Sequence, residues 1–441
     1  MPITVDPVPS DIPLPTKVDV VIVGGGIIGA STAYFLAQQG LKPLVCEKGV
    51  VAGEQSGRNW GWCRTMGRDP RELPLAIESL GLWRSFKEQA GIETGFRNTG
   101  IAYICPDEAA LARREAWLPH AREHGLESRL LTGAELDRLL PGATVKWPGA
   151  LFTPGDGVAE PTMAAPAIAH AARRAGALIV TGCAVRSIDV STGRASGVVT
   201  EQGRVDCDAV VLAGGAWTSL LCRTVGIRLP QLKVRSTVLR TTPCPDGPGI
   251  AAWCPGLAFR PRLDGGYTVA RGRSRAEITP DSFRFLIDFL PVLRQEWGGI
   301  GMALTRYFFS ESRYLLPQAP GAATPFEKVR VLDPRPSARD QDTAFTNLVS
   351  TFPAFASTSI LERWAGLIDV SPDLVPVISP IDSLPGLFVS TGYSGHGFGI
   401  GPGAGRLTAD LVSGRDPVVD PSPFRFSRFS DGSPVTLHAS L

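Results

Sequence analysis

The sequence predicts an α/β fold in which a parallel sheet, assembled from separate parts of the chain, carries an inserted α+β domain built on a mainly antiparallel sheet. Short apolar runs rich in β-branched residues alternate with helical segments at residues 18–47, and this alternation returns at 161–215 and 387–412. Between residues 233 and 361 apolar and polar residues alternate instead, which is typical of strands with one buried face. Two domains also agree with the length of 441 residues.

The first elements form a βαβ unit within about 30 residues. Residues 18–23 predict a buried strand, residues 27–39 a helix that Gly40 ends, and residues 41–47 a second strand. Residues 54–71 are rich in Gly, Arg, Asn and Trp without a clear period, and they predict a loop.

The later elements follow from the same periodicities. Helices are predicted at about 72–89, over most of 107–140, and at 163–175, 281–294 and 403–412. Strands are predicted at 177–181, 185–190, 197–201, 208–213, 236–241, 267–270 and 387–391.

Composition excludes several classes of protein. Lys and Arg number 44 against 42 Asp and Glu, a net charge of +2 without a basic run, so we expect no nucleic-acid partner. No apolar stretch reaches the roughly 20 residues of a membrane-spanning helix, and the proline-rich start does not resemble a signal peptide. Eight scattered cysteines and five histidines predict reduced thiols in a cytoplasmic protein, and no metal site.

A glycine fingerprint predicts dinucleotide binding. Gly24, Gly26 and Gly29 follow a strand and open a helix in the pattern GxGxxG, and Glu47 stands at the end of the next strand. Gly24 permits a tight turn, Gly26 lets a pyrophosphate approach the backbone, and Gly29 permits close packing of helix and strand. The Glu47 carboxylate can accept hydrogen bonds from a ribose diol, and its negative charge would repel the 2′-phosphate of NADP. The fingerprint alone does not distinguish NAD from FAD. An NAD-dependent reductase therefore stays an alternative at this point.

Three further segments favour a flavin. They are Ser56-Gly57-Arg58-Asn59, residues 210–217, which end in Gly-Gly-Ala-Trp, and residues 390–399, which read STGYSGHGFG. In these segments the sequence resembles the D-amino acid oxidase superfamily of FAD enzymes, in the branch of sarcosine oxidase, glycine oxidase and D-amino acid dehydrogenases. The resemblance covers the chain end to end.

The resemblance implies a Rossmann-like FAD-binding domain made of residues 18–95, 155–232 and 362–422. A substrate domain of 96–154 and 233–361 is inserted, and 1–17 and 423–441 are expected to be extended tails. FAD is expected to bind noncovalently, because Gly366 occupies the place of the cysteine that tethers flavin in some sarcosine oxidases. The implied cofactor-binding residues are Gly24, Gly26, Ile27, Ile28, Gly29, Glu47, Lys48, Ser56, Gly57, Arg58, Asn59, Val185, Gly214, Trp217, Gly366, Gly392, Gly395, His396 and Gly397.

The reaction that the resemblance implies is removal of a hydride from the C–N bond of a secondary or N-methylated amine or amino acid, giving an imine that water hydrolyses. Oxygen, a quinone or an electron-transfer protein would accept the electrons. The implied catalytic residues are Arg64, His396 and Thr268, and Thr268 stands where sarcosine oxidase has a lysine that promotes reaction with oxygen. The alternatives are a D-amino acid dehydrogenase that reduces a quinone and a flavin-binding subunit of a multi-chain oxidoreductase.

Two substrate-binding positions of the family differ in this chain. Ile368-Asp369 stands where glycine oxidase has a carboxylate-binding arginine, and Gly399 stands where sarcosine oxidase has a lysine. Arg64 could hold a substrate carboxylate, and Arg260, Arg306 and Arg363 remain open as other choices. Aromatic side chains could form a cage for an ammonium group or simply pack; these are Trp60, Trp62, Trp217 and Tyr393.

Overall fold

A computed structural model describes residues 3–295, 301–315 and 323–438 of the chain. Residues 1–2 and 439–441 of the predicted tails, and 296–300 and 316–322 of the predicted inserted domain, lie outside the described residues. In the part that is described, no helix is long and apolar enough to cross a membrane.

The described chain contains 21 strands and 14 α-helices. The strands are β1 (Val20–Val23), β2 (Pro43–Cys46), β3 (Trp62–Cys63), β4 (Ile101–Cys105), β5 (Arg129–Leu131), β6 (Gly149–Thr153), β7 (Gly157–Val158), β8 (Leu178–Val180), β9 (Val185–Ser191), β10 (Arg194–Thr200), β11 (Gly203–Asp206), β12 (Ala209–Leu212), β13 (Leu232–Thr241), β14 (Ala251–Cys254), β15 (Leu257–Pro261), β16 (Tyr267–Ala270), β17 (Ser274–Ile278), β18 (Gly301–Leu304), β19 (Ile360–Val370), β20 (Val377–Pro380) and β21 (Leu387–Thr391). The helices are α1 (Ile27–Gln38), α2 (Gln55–Arg58), α3 (Leu73–Ala90), α4 (Glu108–Glu115), α5 (Leu118–Glu123), α6 (Gly133–Leu139), α7 (Pro161–Arg174), α8 (Thr218–Thr224), α9 (Pro280–Arg284), α10 (Leu290–Gln295), α11 (Arg306–Arg313), α12 (Pro325–Lys328), α13 (Ala338–Thr351) and α14 (Gly397–Ser413).

A six-stranded sheet in the order β20-β21-β12-β1-β2-β8 forms the first layer, and only β20 runs antiparallel to its neighbour. Its central strands are buried on both faces, which explains why their sequences are continuously apolar. Side chains of α1, α7 and α14 pack on one face, and the small sheet β9–β11 packs on the other. The predicted parallel sheet, assembled from separate parts of the chain, is confirmed.

A ten-stranded sheet forms the second layer. Its order is β18-β17-β13-β16-β15-β14-β4-β6-β5, with β19 paired to the other edge of β13. Most pairs are antiparallel, and β14–β4 and β17–β18 are parallel. The predicted α/β class with a mainly antiparallel second sheet is therefore confirmed. The exact domain boundaries stay predictions.

Several element predictions are wrong in detail. The predicted loop 54–71 contains the short α2 and β3, the predicted helical region 107–140 contains strand β5, and β11 was not predicted. The predicted helix 281–294 is divided into α9 and α10. The predicted extended tail begins instead with two 3₁₀ turns, because the buried Arg428 pairs with Asp373 (2.9 Å) and fixes them to the domain.

The last helix begins at Gly397, six residues before the predicted start at residue 403. Glycine and Pro402 in its first turns concealed the helix, since both residue types have low helix propensity. These glycines are needed for packing: a Cβ on Gly403 would lie 2.9 Å from the Leu75 carbonyl oxygen, and one on Gly405 would overlap Ser31 of α1. Tertiary packing here overrides local propensity.

Candidate active site

A deep pocket opens at the carboxyl ends of the parallel strands, where open α/β sheets bind their ligands. It contains about 1170 Å³ of space free of atoms, part of it open to solvent. Its walls come from the β1–α1 turn, the loop that follows β2, the end of β12, residues 367–369 of β19, and the loop between β21 and α14.

The β1–α1 turn is shaped by its glycines. Gly24 has φ +114°, and a Cβ there would lie 2.5 Å from the Ala213 carbonyl oxygen. A Cβ on Gly29 would overlap the Gly24 carbonyl oxygen, so α1 can approach β1 only with glycine at this position. A Cβ on Gly26 would meet only the Ser56 hydroxyl at 3.0 Å, and Gly26 precedes the first residue of α1. The backbone at Gly26 is therefore open to a ligand, while the next N–H group, that of Ile27, donates to the Ser56 hydroxyl (2.9 Å).

Glu47 lies beside this turn. Its carboxylate accepts hydrogen bonds from the backbone N–H groups of Gly25 and Gly49, each at 2.7 Å. Burial raises the pKa of Glu47, and the two backbone bonds oppose this rise. The carboxylate keeps lone pairs with which it can accept from a ribose hydroxyl.

The residues of the pocket fit a flavin dinucleotide. The open start of α1 suits a pyrophosphate, and Glu47 suits a ribose. Gln55 lines the pocket, and its buried side-chain oxygen accepts no hydrogen bond from the described residues. The Nη2 group of Arg58, one helical turn away, is also buried without an acceptor among them. A polar ligand bound in the pocket would supply the missing partner of Gln55; Arg58 itself does not line the pocket.

The loop before α14 forms the wall that faces β19. Gly392 and Gly395 have φ +74° and +88°, conformations that favour glycine. Asp369, at the end of β19, accepts hydrogen bonds from Gly392 N (2.6 Å), Thr391 Oγ1 (3.1 Å) and Gln231 Nε2 (3.3 Å). Asp369 therefore fixes this loop to the second sheet.

Thirteen of the predicted cofactor residues line the pocket, namely Gly24, Gly26, Ile27, Ile28, Glu47, Lys48, Ser56, Asn59, Val185, Gly214, Trp217, Gly395 and Gly397. Six do not, namely Gly29, Gly57, Arg58, Gly366, Gly392 and His396. Gly29 and Gly57 pack against backbone, and Gly366 packs against Gln55 and Arg58.

Sequence reasoning missed Glu54, which lines the pocket and organises its rim. Its carboxylate pairs with Lys48 (2.6 Å) and accepts from Trp217 Nε1 (2.9 Å) and Leu332 N (2.9 Å). No motif marks this residue, because two of its three partners, Trp217 and Leu332, lie far from it in the sequence.

None of the three predicted catalytic residues lines the pocket. Arg64 donates to the Met66 carbonyl oxygen, and its guanidinium lies over the Tyr103 ring at 5.3 Å. Thr268 is buried on β16, and its hydroxyl accepts from Arg262 (3.2 Å).

The third predicted catalytic residue, His396, is buried at the start of α14. Its Nδ1 lies 3.1 Å from a carboxylate oxygen of Glu72, which is fully buried. Burial and the positive charge of Arg68 lower the pKa of His396 to about 4, although Glu72 opposes this. The ring is therefore neutral at pH 7, and Nδ1–H donates to Glu72.

The other arginines considered for a substrate carboxylate already have partners or lie elsewhere. Arg260 is fully buried and makes a two-point ion pair with Glu160 (2.8 and 2.9 Å). Arg363 pairs with Asp342 (2.5 Å), and Arg306 lies beside the Tyr307 ring.

The structure does not bring the four predicted cage residues together. Trp60 contacts Trp62 (5.4 Å between ring centroids) and Trp253 (5.6 Å). Trp217 and Tyr393 instead belong to the pocket wall. Trp217 is held by Glu54, and the Tyr393 hydroxyl is 2.7 Å from Ser390 Oγ.

Comparison with known proteins identifies the family. A model of the DAO family, described as FAD dependent oxidoreductase, matches residues 19–411. Glycine oxidase of Pseudomonas aeruginosa is 24% identical over 92% of this chain and 97% of its own length. Sarcosine oxidase subunit beta of Arthrobacter sp is 25% identical over 96% of this chain and 93% of its own. The solved structure of L-amino acid deaminase from Proteus myxofaciens, in complex with anthranilate, matches with a TM-score of 0.92 and 34% identity, covering 97% of each chain. The chain therefore belongs to the DAO family of FAD-dependent oxidoreductases.

Proposed function

We propose that the protein oxidises the Cα–N bond of an α-amino acid and releases an imino acid, which water hydrolyses to the keto acid. The observation that carries this proposal is the 34% identity with L-amino acid deaminase over 97% of both chains, together with a TM-score of 0.92. Bound FAD supplies the hydride acceptor for this reaction, the flavin N5 position.

The protein's own residues would bind, orient and shield the reactants. The start of α1 and Glu47 would hold the pyrophosphate and a ribose, and Gln55 would donate to or accept from the flavin. The positive end of α14 begins at Gly397, on the pocket wall, where it would stabilise negative charge that develops on the flavin. Hydride removal needs an unprotonated amine and a C–H group held near the acceptor, so the main demand on the protein is positioning.

Oxidation of a secondary or N-methylated amine is the second candidate. It is supported by the similarity to sarcosine oxidase subunit beta over 96% of this chain, and sarcosine is an N-methylated amino acid. The same similarity supports the alternative that this chain is the flavin-binding subunit of a larger complex. A D-amino acid dehydrogenase that reduces a quinone is a further alternative.

A substrate panel under argon tests these proposals. The purified yellow protein is mixed with L-amino acids, D-amino acids, sarcosine and simple secondary amines, and loss of the visible flavin absorbance is followed. We expect bleaching by an amino acid, with ammonia as product. Bleaching only by N-methyl compounds, with formaldehyde or methylamine as product, would favour the second candidate. Absence of bleaching by the lone chain, restored by a partner subunit, would contradict a self-sufficient enzyme.

Mixing the reduced protein with air-saturated buffer identifies the acceptor. We propose that a quinone or an electron-transfer protein, rather than oxygen, is the working acceptor; the support is the resemblance to sarcosine oxidase, whose lysine is replaced by the uncharged Thr268, although Thr268 itself does not line the pocket. Slow return of the flavin colour is expected. Reoxidation as fast as turnover, with stoichiometric peroxide, would show an oxidase.

Two further properties are proposals of the same kind. We expect noncovalent FAD, so that acid precipitation leaves all the yellow colour in the supernatant; colour in the pellet would contradict this. A cytoplasmic location is supported by the eight cysteines, all buried and unpaired.

A further inference from the structure

Residues 62–72, which we call the arginine segment, comprise β3 and its connection to α3 and carry Arg64, Arg68 and Arg71. The arginine segment touches the first turn of α14: a Cβ on Gly399 would lie 2.7 Å from the Trp62 carbonyl oxygen and 3.2 Å from Cys63 Cα. Gly397 and Phe398 in the same turn of α14 line the pocket. The arginine segment therefore lies directly behind the pocket wall.

Arg68 is a buried arginine without a carboxylate. Four arginines are buried among the described residues, and three of them have an acidic partner: Arg58 with Asp333 (2.5 Å), Arg260 with Glu160 (2.8 Å) and Arg428 with Asp373 (2.9 Å). Arg68 is 2% exposed, and its Nε donates at 3.3 Å to the Arg64 carbonyl oxygen. Its Nη1 is buried and has no acceptor among the described residues.

The acids near Arg68 are already engaged by other donors. Glu72 accepts from His396, and Asp156 accepts from Thr65 N (2.7 Å), Thr65 Oγ1 (2.8 Å) and Met66 N (3.1 Å). Burial, and secondarily the charge of Arg64, lower the pKa of Arg68 to about 9, although the nearby Glu72 and Asp156 oppose this, so Arg68 stays charged at neutral pH. A buried charge with unsatisfied donors is costly, which indicates that an anion completes the site.

A second buried donor lies in the arginine segment. The indole Nε1–H of Trp62 has no acceptor in the described structure, and this residue is 8% exposed. The segment thus offers a buried guanidinium group and a buried indole group, each with an N–H donor that has no acceptor among the described residues. A carboxylate is the anion that matches the planar guanidinium fork.

We propose that Arg68 binds the carboxylate of the amino-acid substrate, with the Trp62 indole N–H as a second donor; this inference rests on the proposed function. Arg64 is the less suitable residue, because its guanidinium is already bonded to the Met66 carbonyl oxygen and stacked on Tyr103. The assignment makes the substrate a compound that keeps its carboxylate, and it disfavours simple amines.

The test compares a carboxylate with its neutral isostere. The FAD-loaded protein is titrated with benzoate and with benzamide, and the change in flavin absorbance gives each Kd. We expect the wild type to bind benzoate more tightly. Arg68→Met should weaken benzoate binding on the order of 10- to 100-fold, which is the contribution of a charge-assisted hydrogen bond, and should leave benzamide binding nearly unchanged.

Two more variants keep the test decisive. Arg68→Lys retains the charge without the fork and should lose about tenfold in benzoate affinity. Arg71→Lys is the matched control, since Arg71 lies in the same segment but pairs with Asp69 (2.8 Å), and it should stay within about threefold of wild type. If Arg68→Met fails to retain FAD, the ratio of the benzoate and benzamide Kd values in Arg68→Lys decides. An unchanged ratio in Arg68→Lys, or no preference for benzoate in the wild type, would overturn the assignment.

Substrate kinetics separate this inference from the proposed function. In Arg68→Lys the substrate concentration for half-maximal flavin reduction should rise about tenfold, while the limiting rate changes less. An amino acid that reduces wild type and Arg68→Lys with equal apparent affinity would overturn the role of Arg68 and leave the proposed function intact. Benzoate binding that depends on Arg68, in a protein that no amino acid reduces, would overturn the proposed function and support Arg68 as the binding residue for another carboxylate.

Discussion

The β1–α1 turn lines the pocket and the arginine segment lies behind its wall, and the two are built in opposite ways. In the turn, glycines at 24 and 29 leave room for backbone, and Glu47 is bonded by two N–H groups. In the arginine segment, Arg68 and Trp62 keep buried donors for which the described part of the chain provides no acceptor. A cofactor that is the same in every family member can be bound by backbone geometry, whereas a substrate that differs must be bound by individual side chains.

The largest expected effect comes from Gly29→Ala in the turn. The new Cβ would overlap the Gly24 carbonyl oxygen, and two packed backbones cannot both relax, so we expect a colourless protein destabilised by more than about 3 kcal/mol. Gly40→Ala is the control for steric overlap, because no atom lies within 4 Å of the Cβ position of Gly40, and only its own positive φ (+87°) disfavours alanine. It should bind FAD fully and lose only about 1 to 2 kcal/mol. Flavin content and urea unfolding measure both; a yellow, stable Gly29→Ala would refute the steric argument.

Acid should destabilise the arginine-segment side of the site through His396. Its pKa of about 4 in the folded protein lies below the ordinary value of about 6.5, so the unfolded chain binds more protons between these values. Stability from the neutral ring is present above pH 6.5 and is lost as pH falls toward 4, by about 3 kcal/mol in total. In His396→Gln, the drop in unfolding free energy from pH 7 to pH 4.5 should be about 2 kcal/mol smaller. Equal drops in both proteins would show that the ring is not buried as a neutral group.

A smaller effect is expected for Glu47→Gln. The amide can accept from only one of the N–H groups of Gly25 and Gly49 and sets its own NH₂ against the other. We expect FAD affinity to fall on the order of 10- to 100-fold while the fold is retained. Reconstituting the apoprotein with FAD gives the Kd. An unchanged Kd would mean that Glu47 does not contact the cofactor.

The smallest effect is expected for Thr268→Val. The threonine hydroxyl accepts from Arg262, which also pairs with Asp264 (3.2 Å), and Thr268 does not line the pocket. The rate of flavin reoxidation by oxygen should therefore change less than about threefold, or under about 1 kcal/mol in barrier height. A tenfold change would place this position beside the flavin.

The sequence was a good guide where residue type determines backbone geometry. Gly24 and Gly29 indicated the turn, and continuous apolar runs indicated strands buried on both faces. It was a poor guide to α14, whose glycines serve close helix packing, and to α2 and β3, which are too short for a period to show. Arg68 could not be distinguished from Arg64 or Arg71 by sequence, because only the fold shows which guanidinium is buried without an ion-pair partner.

Strand β19 links the ten-stranded sheet to the loop that follows β21 of the six-stranded sheet. It pairs with β13 from Leu232↔Val370 to Thr241↔Ile360, and its Asp369 accepts the Gly392 N–H at 2.6 Å. We therefore expect a shift of the large sheet that adapts it to a bulkier substrate to move the loop between β21 and α14 on the pocket wall. Substitutions made in the large sheet to change substrate choice should therefore alter the reduction potential of the flavin as well. Substrate selectivity and reduction potential should then change together.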